Sequence, residues 1–170
     1  MGYAIGMTFD EWSTQAENLA SGKGFGLGDR VTTHDGKVYV YVKLGTGGVT
    51  GDGYVCSFGN DYVALMTDTD TAGSILEGDW IGVAEGAGAA DDYGWLQIYG
   101  ACGIRTEQDA LANKKLGPTA DAGQVDDAAA VGIFINGIHL GTATGGADAV
   151  NTTGFLNYPT LEVQMEPETT

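Results

Sequence analysis

Twenty-three carboxylates, two histidines, two cysteines and four serines are the side chains from which this chain would have to build a reactive site. Their spacing decides what they can do. Asp68-Thr69-Asp70-Thr71-Ala72-Gly73 begins like a calcium-binding loop, with acidic oxygens at the first and third positions and glycine at the sixth. The fifth position is Ala72, which has no ligand atom, and the twelfth is Asp79 where such a loop uses a bidentate glutamate. These departures favour a solvated acidic turn over a cation site. Asp91 with Asp92, and Asp126 with Asp127, are adjacent pairs, and neighbours on a strand project to opposite faces, so neither pair is a catalytic dyad.

His34 and His139 cannot supply the three imidazoles of a zinc enzyme. His34, beside a turn, is expected to be exposed, and His139, in GIHLG, partly buried and satisfied. No serine sits in a Gly-x-Ser-x-Gly elbow. Cys56 and Cys102 lie in the apolar contexts YVCSF and GACGI without a sequence-local base, and read as small buried core residues rather than a nucleophile or a disulfide. Gly22, Gly24, Gly26 and Gly28 precede a strand, the reverse of a dinucleotide fingerprint, and the loop 45–51 is followed by no helix pattern and no Gly-Lys-Thr. The expectation is a non-enzymatic chain with no catalytic residue, no metal and no cofactor.

The elements that must carry these residues follow from composition. Twenty-nine glycines without a three-residue period, with 43% hydrophobic residues, suit many short strands joined by tight turns, and 170 residues fit one domain. The net charge of −16 opposes phosphate backbones and anionic membranes, and apart from Lys114-Lys115 the seven basic residues are scattered. Neither a nucleic-acid nor a membrane partner is expected. No stretch approaches the ~20 apolar residues of a membrane span, and the N-terminus lacks a signal peptide's basic and apolar segments, so synthesis in a cytoplasm is expected.

Residues 1–27 are expected to form an arm, 28–166 a β domain and 167–170 a tail. Thr8 or Asp10 is read as the cap of a short helix through Leu19, with Phe9, Trp12, Ala16 and Leu19 or Ala20 near one face. That face is too small to fold alone, so the arm docks on this domain, a neighbouring copy or a partner. Asp35-Gly36 predicts a hairpin, and Val38, Val40 and Val42 alternate with Tyr39 and Tyr41, so both faces of that strand are expected to be covered. YVCSFGNDYVALM reads as two strands, and residues 67–74 as an exposed polar stretch. Residues 77–100, EGDWIGVAEGAGAADDYGWLQIYG, read as two strands and a turn. Residues 107–115 form a short helix or a wide polar loop, 124–140 two strands about a type I′ turn at Asn136-Gly137, 142–153 a loop and 160–165 the last strand. Val40, Val42, Trp80, Trp95, Ile98 and Ile133 are the expected structural core.

Three segments, GDRVTTHDGKVYVYVK at 28–43, DDYGWLQIYG at 91–100 and DDAAAVGIFINGIHLG at 126–141, resemble in this order the capsid decoration (cement) proteins of tailed bacteriophages. In that family a glycine-turned Tyr-Val-Tyr-Val strand, a Gly-Trp-x-Gln-x-x-Gly strand and a late Val-Gly-Ile strand recur. The likeness spans roughly residues 28–160 and carries no catalytic signature. It implies a mainly β fold, a single small β-barrel or β-sandwich of short antiparallel strands, often a homotrimer, on the outer surface of the virion head where it bridges subunits of the major capsid protein. On that view the arm is the clamp, and Phe9, Trp12, Leu19 and Phe25 contact the shell or a neighbouring protomer. The alternative is a carbohydrate-binding or fibre-like adhesion module on the virion surface, with the three tryptophans, Tyr39, Tyr41, Tyr62 and Tyr93 as its stacking platform.

Overall fold

A strand that is apolar on both faces must be covered on both, and VYVYVKL at Val38–Leu44 sets the plan of this molecule. The computed structural model describes residues 8–69, 78–128, 132–146 and 150–163, except 21–23, and of residues 18–20 the backbone alone. Helix α1 (Gln15–Ala20) is followed by β1 (Arg30–Thr32), β2 (Val38–Leu44), β3 (Val55–Phe58), β4 (Val63–Met66) and β5 (Trp80–Ala84). Then come β6 (Tyr93–Thr106), β7 (Gly117–Pro118), β8 (Val125–Asp126), β9 (Ile133–Leu140) and β10 (Val150–Val163). The fold is mainly β.

Five strands close into a ring: β2 to β4, β4 to β3, β3 to β5, β5 to β6 and β6 back to β2. Alternate residues point into it, so Val38, Val40, Val42, Leu44, Cys56, Phe58, Ala64, Ala84, Leu96 and Ile98 form one core. Each large aliphatic or aromatic side chain buried there stabilises the fold by about 1.5–3 kcal/mol. Strand β6 belongs to two layers. Its residues Tyr93–Tyr99 pair with β2, and past Gly100, at φ +102°, it pairs with β10 as far as Thr106. Strand β10 carries β9 on its other edge, and together they cover the outer face of the ring. Val55, Ile81 and Val83 on that face pack with Ile104, Leu116, Val125, Ile138, Leu140 and Leu156 in a second core. Most pairings are antiparallel, as expected, but β2 with β4 and β6 with β8 are parallel.

Several local expectations are corrected. Thr14, not Thr8 or Asp10, caps the helix: Thr14 N–H donates to Glu17 Oε2 at 2.9 Å and Glu17 N–H to Thr14 Oγ1 at 3.3 Å, a capping box. Phe9 and Trp12 therefore precede the helix. Of the two readings of residues 107–115 the loop is the one found: they form turns, with Ala110 fully buried in the second core. Asn136-Gly137 lies inside β9. The register jumps from Ile138↔Leu156 to Asn136↔Thr160, so Gly137, at φ +80°, serves a bulge rather than a turn. Strand β10 begins at Val150, inside the expected loop 142–153, and residues 164 and 165 of the expected last strand lie outside the described residues. Thr67, expected to be exposed, is buried and donates to Val55 O at 3.2 Å.

Candidate functional site

The outer face of β2 and of the first half of β6 presents Tyr39, Tyr41 and Trp95, which are 2%, 3% and 4% exposed. The arm covers them. Phe9 stacks on Tyr39 at 4.0 Å between centroids and meets the edge of Trp95 at 6.1 Å, while Phe25 lies 5.1 Å from Trp95 and 5.6 Å from Tyr41. Ser13 and Tyr93 exchange backbone hydrogen bonds of 2.9 and 2.8 Å. Trp12 donates Nε1–H to Gly86 O at 3.1 Å and packs against the first core. Its ring fits because positions 88 and 94 are glycine: a Cβ there would lie 2.5 and 2.6 Å from Trp12 atoms.

Of the three docking partners open to the arm, the chain's own domain is the one this structure contains. Phe9, Trp12 and Phe25 are half-buried, with Thr8, Glu11 and Leu27 exposed beside them; the side chain of Leu19 lies outside the described residues. Of the expected core, Val40, Val42, Trp95 and Ile98 are buried. Trp80 and Ile133 are half-buried at its edges, Trp80 under the Arg30 guanidinium at 5.1 Å.

An open groove of about 340 Å³ beside the arm is lined by Asp10, Lys37, Asp52, Glu85 and Cys102, among others. Glu85 Oε1 accepts from the Tyr39 hydroxyl at 2.8 Å and the Lys37 ammonium at 3.3 Å. Burial, reinforced by Glu85, holds the Tyr39 hydroxyl protonated far above its ordinary range. Burial also pushes the thiol of Cys102, and that of the wholly buried Cys56, up to about 12, and both are free. These groups build structure and offer no reactive thiolate at neutral pH.

The paired acids shape turns. Asp91, at φ +69°, pairs with Lys43 at 2.6 Å, and Asp92 accepts from Ala89 N–H at 2.9 Å. Asp127 accepts from Leu111 N–H at 2.9 Å, and burial pushes the Asp126 carboxyl up. Among the described residues no group of three His, Cys, Asp or Glu could hold a metal ion; residues 70–77 of the calcium-like stretch lie outside them.

Both histidines are exposed, so the expectation of a partly buried His139 is corrected. Of the rings named for the alternative stacking platform, Tyr39, Tyr41 and Trp95 are buried, and Tyr62, Tyr93, Trp12 and Trp80 half-buried. A different aromatic row lies across β9, β10 and β6. His139 stacks with Phe155 at 5.9 Å, Phe155 meets Tyr99 edge-on at 5.4 Å, and Tyr99 lies 5.2 Å from Tyr158. The alternation in NTTGFLNYP, residues 151–159, was the signal for it, hidden by reading the preceding polar residues as loop. No protein-family model and no curated protein sequence matches this chain.

Proposed function

We propose that this chain is a bacteriophage capsid decoration protein, a non-enzymatic virion component that binds the outside of the assembled head and bridges major capsid subunits. One observation carries the reading. Two of the three family-like segments, 28–43 and 91–100, meet in space as hydrogen-bonded neighbours, Val38↔Tyr99 to Lys43↔Tyr93, and the aromatic arm is strapped across that pair. The shell-facing surface in this reading is the arm side, where the half-buried Phe9, Trp12 and Phe25 and the 42% exposed Leu27 supply apolar contact area. The chain's charge of −16 keeps the loops facing away from the shell in water.

The mechanism is mass action: a protein that binds only the assembled lattice stabilises that lattice. Association as a homotrimer would let several arms engage neighbouring subunits and add avidity. The test adds the protein to heads that lack it and measures their rupture temperature. The wild type raises it and Leu27→Asp, which leaves the fold intact, raises it less; no shift with the wild type overturns the reading.

A further inference from the structure

An aromatic row on the other layer of the sheet is anchored by Tyr99, which packs against the first core, and its other rings, Phe155, His139 and Tyr158, belong to neither that core nor the arm. Along β10 Thr152, Gly154 and Leu156 are buried, while Asn151, Thr153 and Asn157 are exposed and Phe155 is half-buried. Phe155 pairs across the sheet with His139 on one side and Ala101 on the other, and Asn157 pairs with Tyr99. The three ring-to-ring steps, 5.9, 5.4 and 5.2 Å, therefore run over a solvent-facing sheet surface from His139 to Tyr158.

The last ring is placed at the expense of backbone strain. Tyr158 has φ +46°, a left-handed conformation that a bulky residue rarely adopts, and it precedes Pro159, which restricts it further. The bulge between Leu156 and Thr160 imposes this, and Gly137 opposite makes room, since a Cβ there would lie 2.6 Å from Asn157 O. Strain of this kind persists where a site needs it. Core packing does not explain it, because Tyr158 remains 42% exposed.

We propose that Tyr158, Tyr99, Phe155 and His139 form a binding platform for a neutral oligosaccharide or polysaccharide. Aromatic faces carry negative charge density and attract the C–H groups on the flat face of a pyranose ring. His139 and Tyr158, the two exposed rings, stand at the two ends of the row, joined by the half-buried Phe155 and Tyr99, which meet edge to face at 78°. Asn157 and Thr153 beside the rings supply the amide and hydroxyl groups that bond sugar hydroxyls.

Charge selects the ligand class. The chain's net −16 repels sialic and uronic acids. No lysine or arginine stands among the named residues of the platform to recruit them, and the nearby Lys37 is paired with Glu85 at 3.3 Å. The four rings, Asn157 and Thr153 carry no carboxylate, and Glu162 on β10, still charged, accepts from Asn136 at 2.8 Å. The arm's Phe9 reaches Tyr39, whose partner Gln97 lies two residues from Tyr99, so the variants that test the row are placed at Tyr158, which touches Tyr99 and none of the arm's named aromatic contacts.

The experiment applies wild type, Tyr158→Ala and Tyr158→Phe to an array of neutral and sialylated oligosaccharides and to cellulose and chitin columns, at ionic strengths of about 0.15 M and 1 M. The expected result is salt-insensitive retention of wild type on at least one neutral glycan, about tenfold weaker for Tyr158→Ala and nearly unchanged for Tyr158→Phe, with equal melting temperatures or a higher one for Tyr158→Ala. Retention on no neutral glycan, retention on sialylated glycans only, or undiminished retention of Tyr158→Ala overturns the proposal. Head binding and oligomeric mass are measured on the same proteins. A Tyr158→Ala protein that loses head attachment, or changes its oligomeric mass, would make the row a protein interface and overturn it too.

Discussion

Cys56 and Cys102 show how far burial alone can silence a reactive side chain. With both thiols pushed up to about 12, the thiolate fraction at pH ~8 is about one in ten thousand. Iodoacetamide at that pH is therefore expected to leave the folded protein unmodified by mass spectrometry and to label both cysteines once urea unfolds it; labelling of Cys102 in the folded state would show that β6 opens locally. The apolar context of Cys56 made its burial legible from sequence, and the same holds for Val40, Val42 and Trp95, whereas Cys102, read as a buried core residue, is half-buried and lines the groove. Tyr158 was not legible, because nothing local in NYP says that the strand bulges there. Its conformation is set by the pairing of β10 with β9, which joins residues far apart in the chain.

At the scale of elements the arm and the ring are expected to lose structure separately. Trp12 sits over Gly88 and Gly94, and adding a Cβ at 94 puts it 2.6 Å from the indole. Gly94→Ala is expected to lift Trp12 and speed proteolysis within residues 8–27 while leaving the β circular dichroism unchanged. Trp95→Ala removes a ring that Phe9, Phe25 and Tyr41 all touch, and is expected to cost the whole domain about 3–5 kcal/mol in urea unfolding. If Gly94→Ala unfolds the domain as readily as Trp95→Ala, the arm is part of the cooperative core. The hairpin at Asp35-Gly36 and the alternation of β2 were readable because turn chemistry and period-two patterning are local. The segment 107–115 was legible only as a choice between helix and loop, because its helix formers are outweighed by the need of Ala110 and Leu116 to close the second core.

For the whole molecule, 23 acidic against 7 basic residues leaves a repulsion that the two ion pairs among the described residues, Lys37 with Glu85 and Lys43 with Asp91, do not offset. Added salt screens that repulsion within a Debye length of ~10 Å at 0.1 M. The melting temperature is thus expected to rise as NaCl increases, and to rise as pH falls from about 8 toward 5 and the repulsion eases. The desolvated Asp126, raised in the folded state, adds to this direction, since protonation relieves its burial. Below the ordinary carboxylate range the trend reverses. Glu17 and Asp35 are lowered in the folded state by hydrogen bonds from Thr14 and Thr33, so the stability they contribute is present at neutral pH and is lost as pH falls through their folded values. A melting temperature that falls steadily with salt would instead mean that attractive ion pairs dominate the surface. The acidic field would then be a stabilising network, and the neutrality of the aromatic row would lose its contrast with the surface around it.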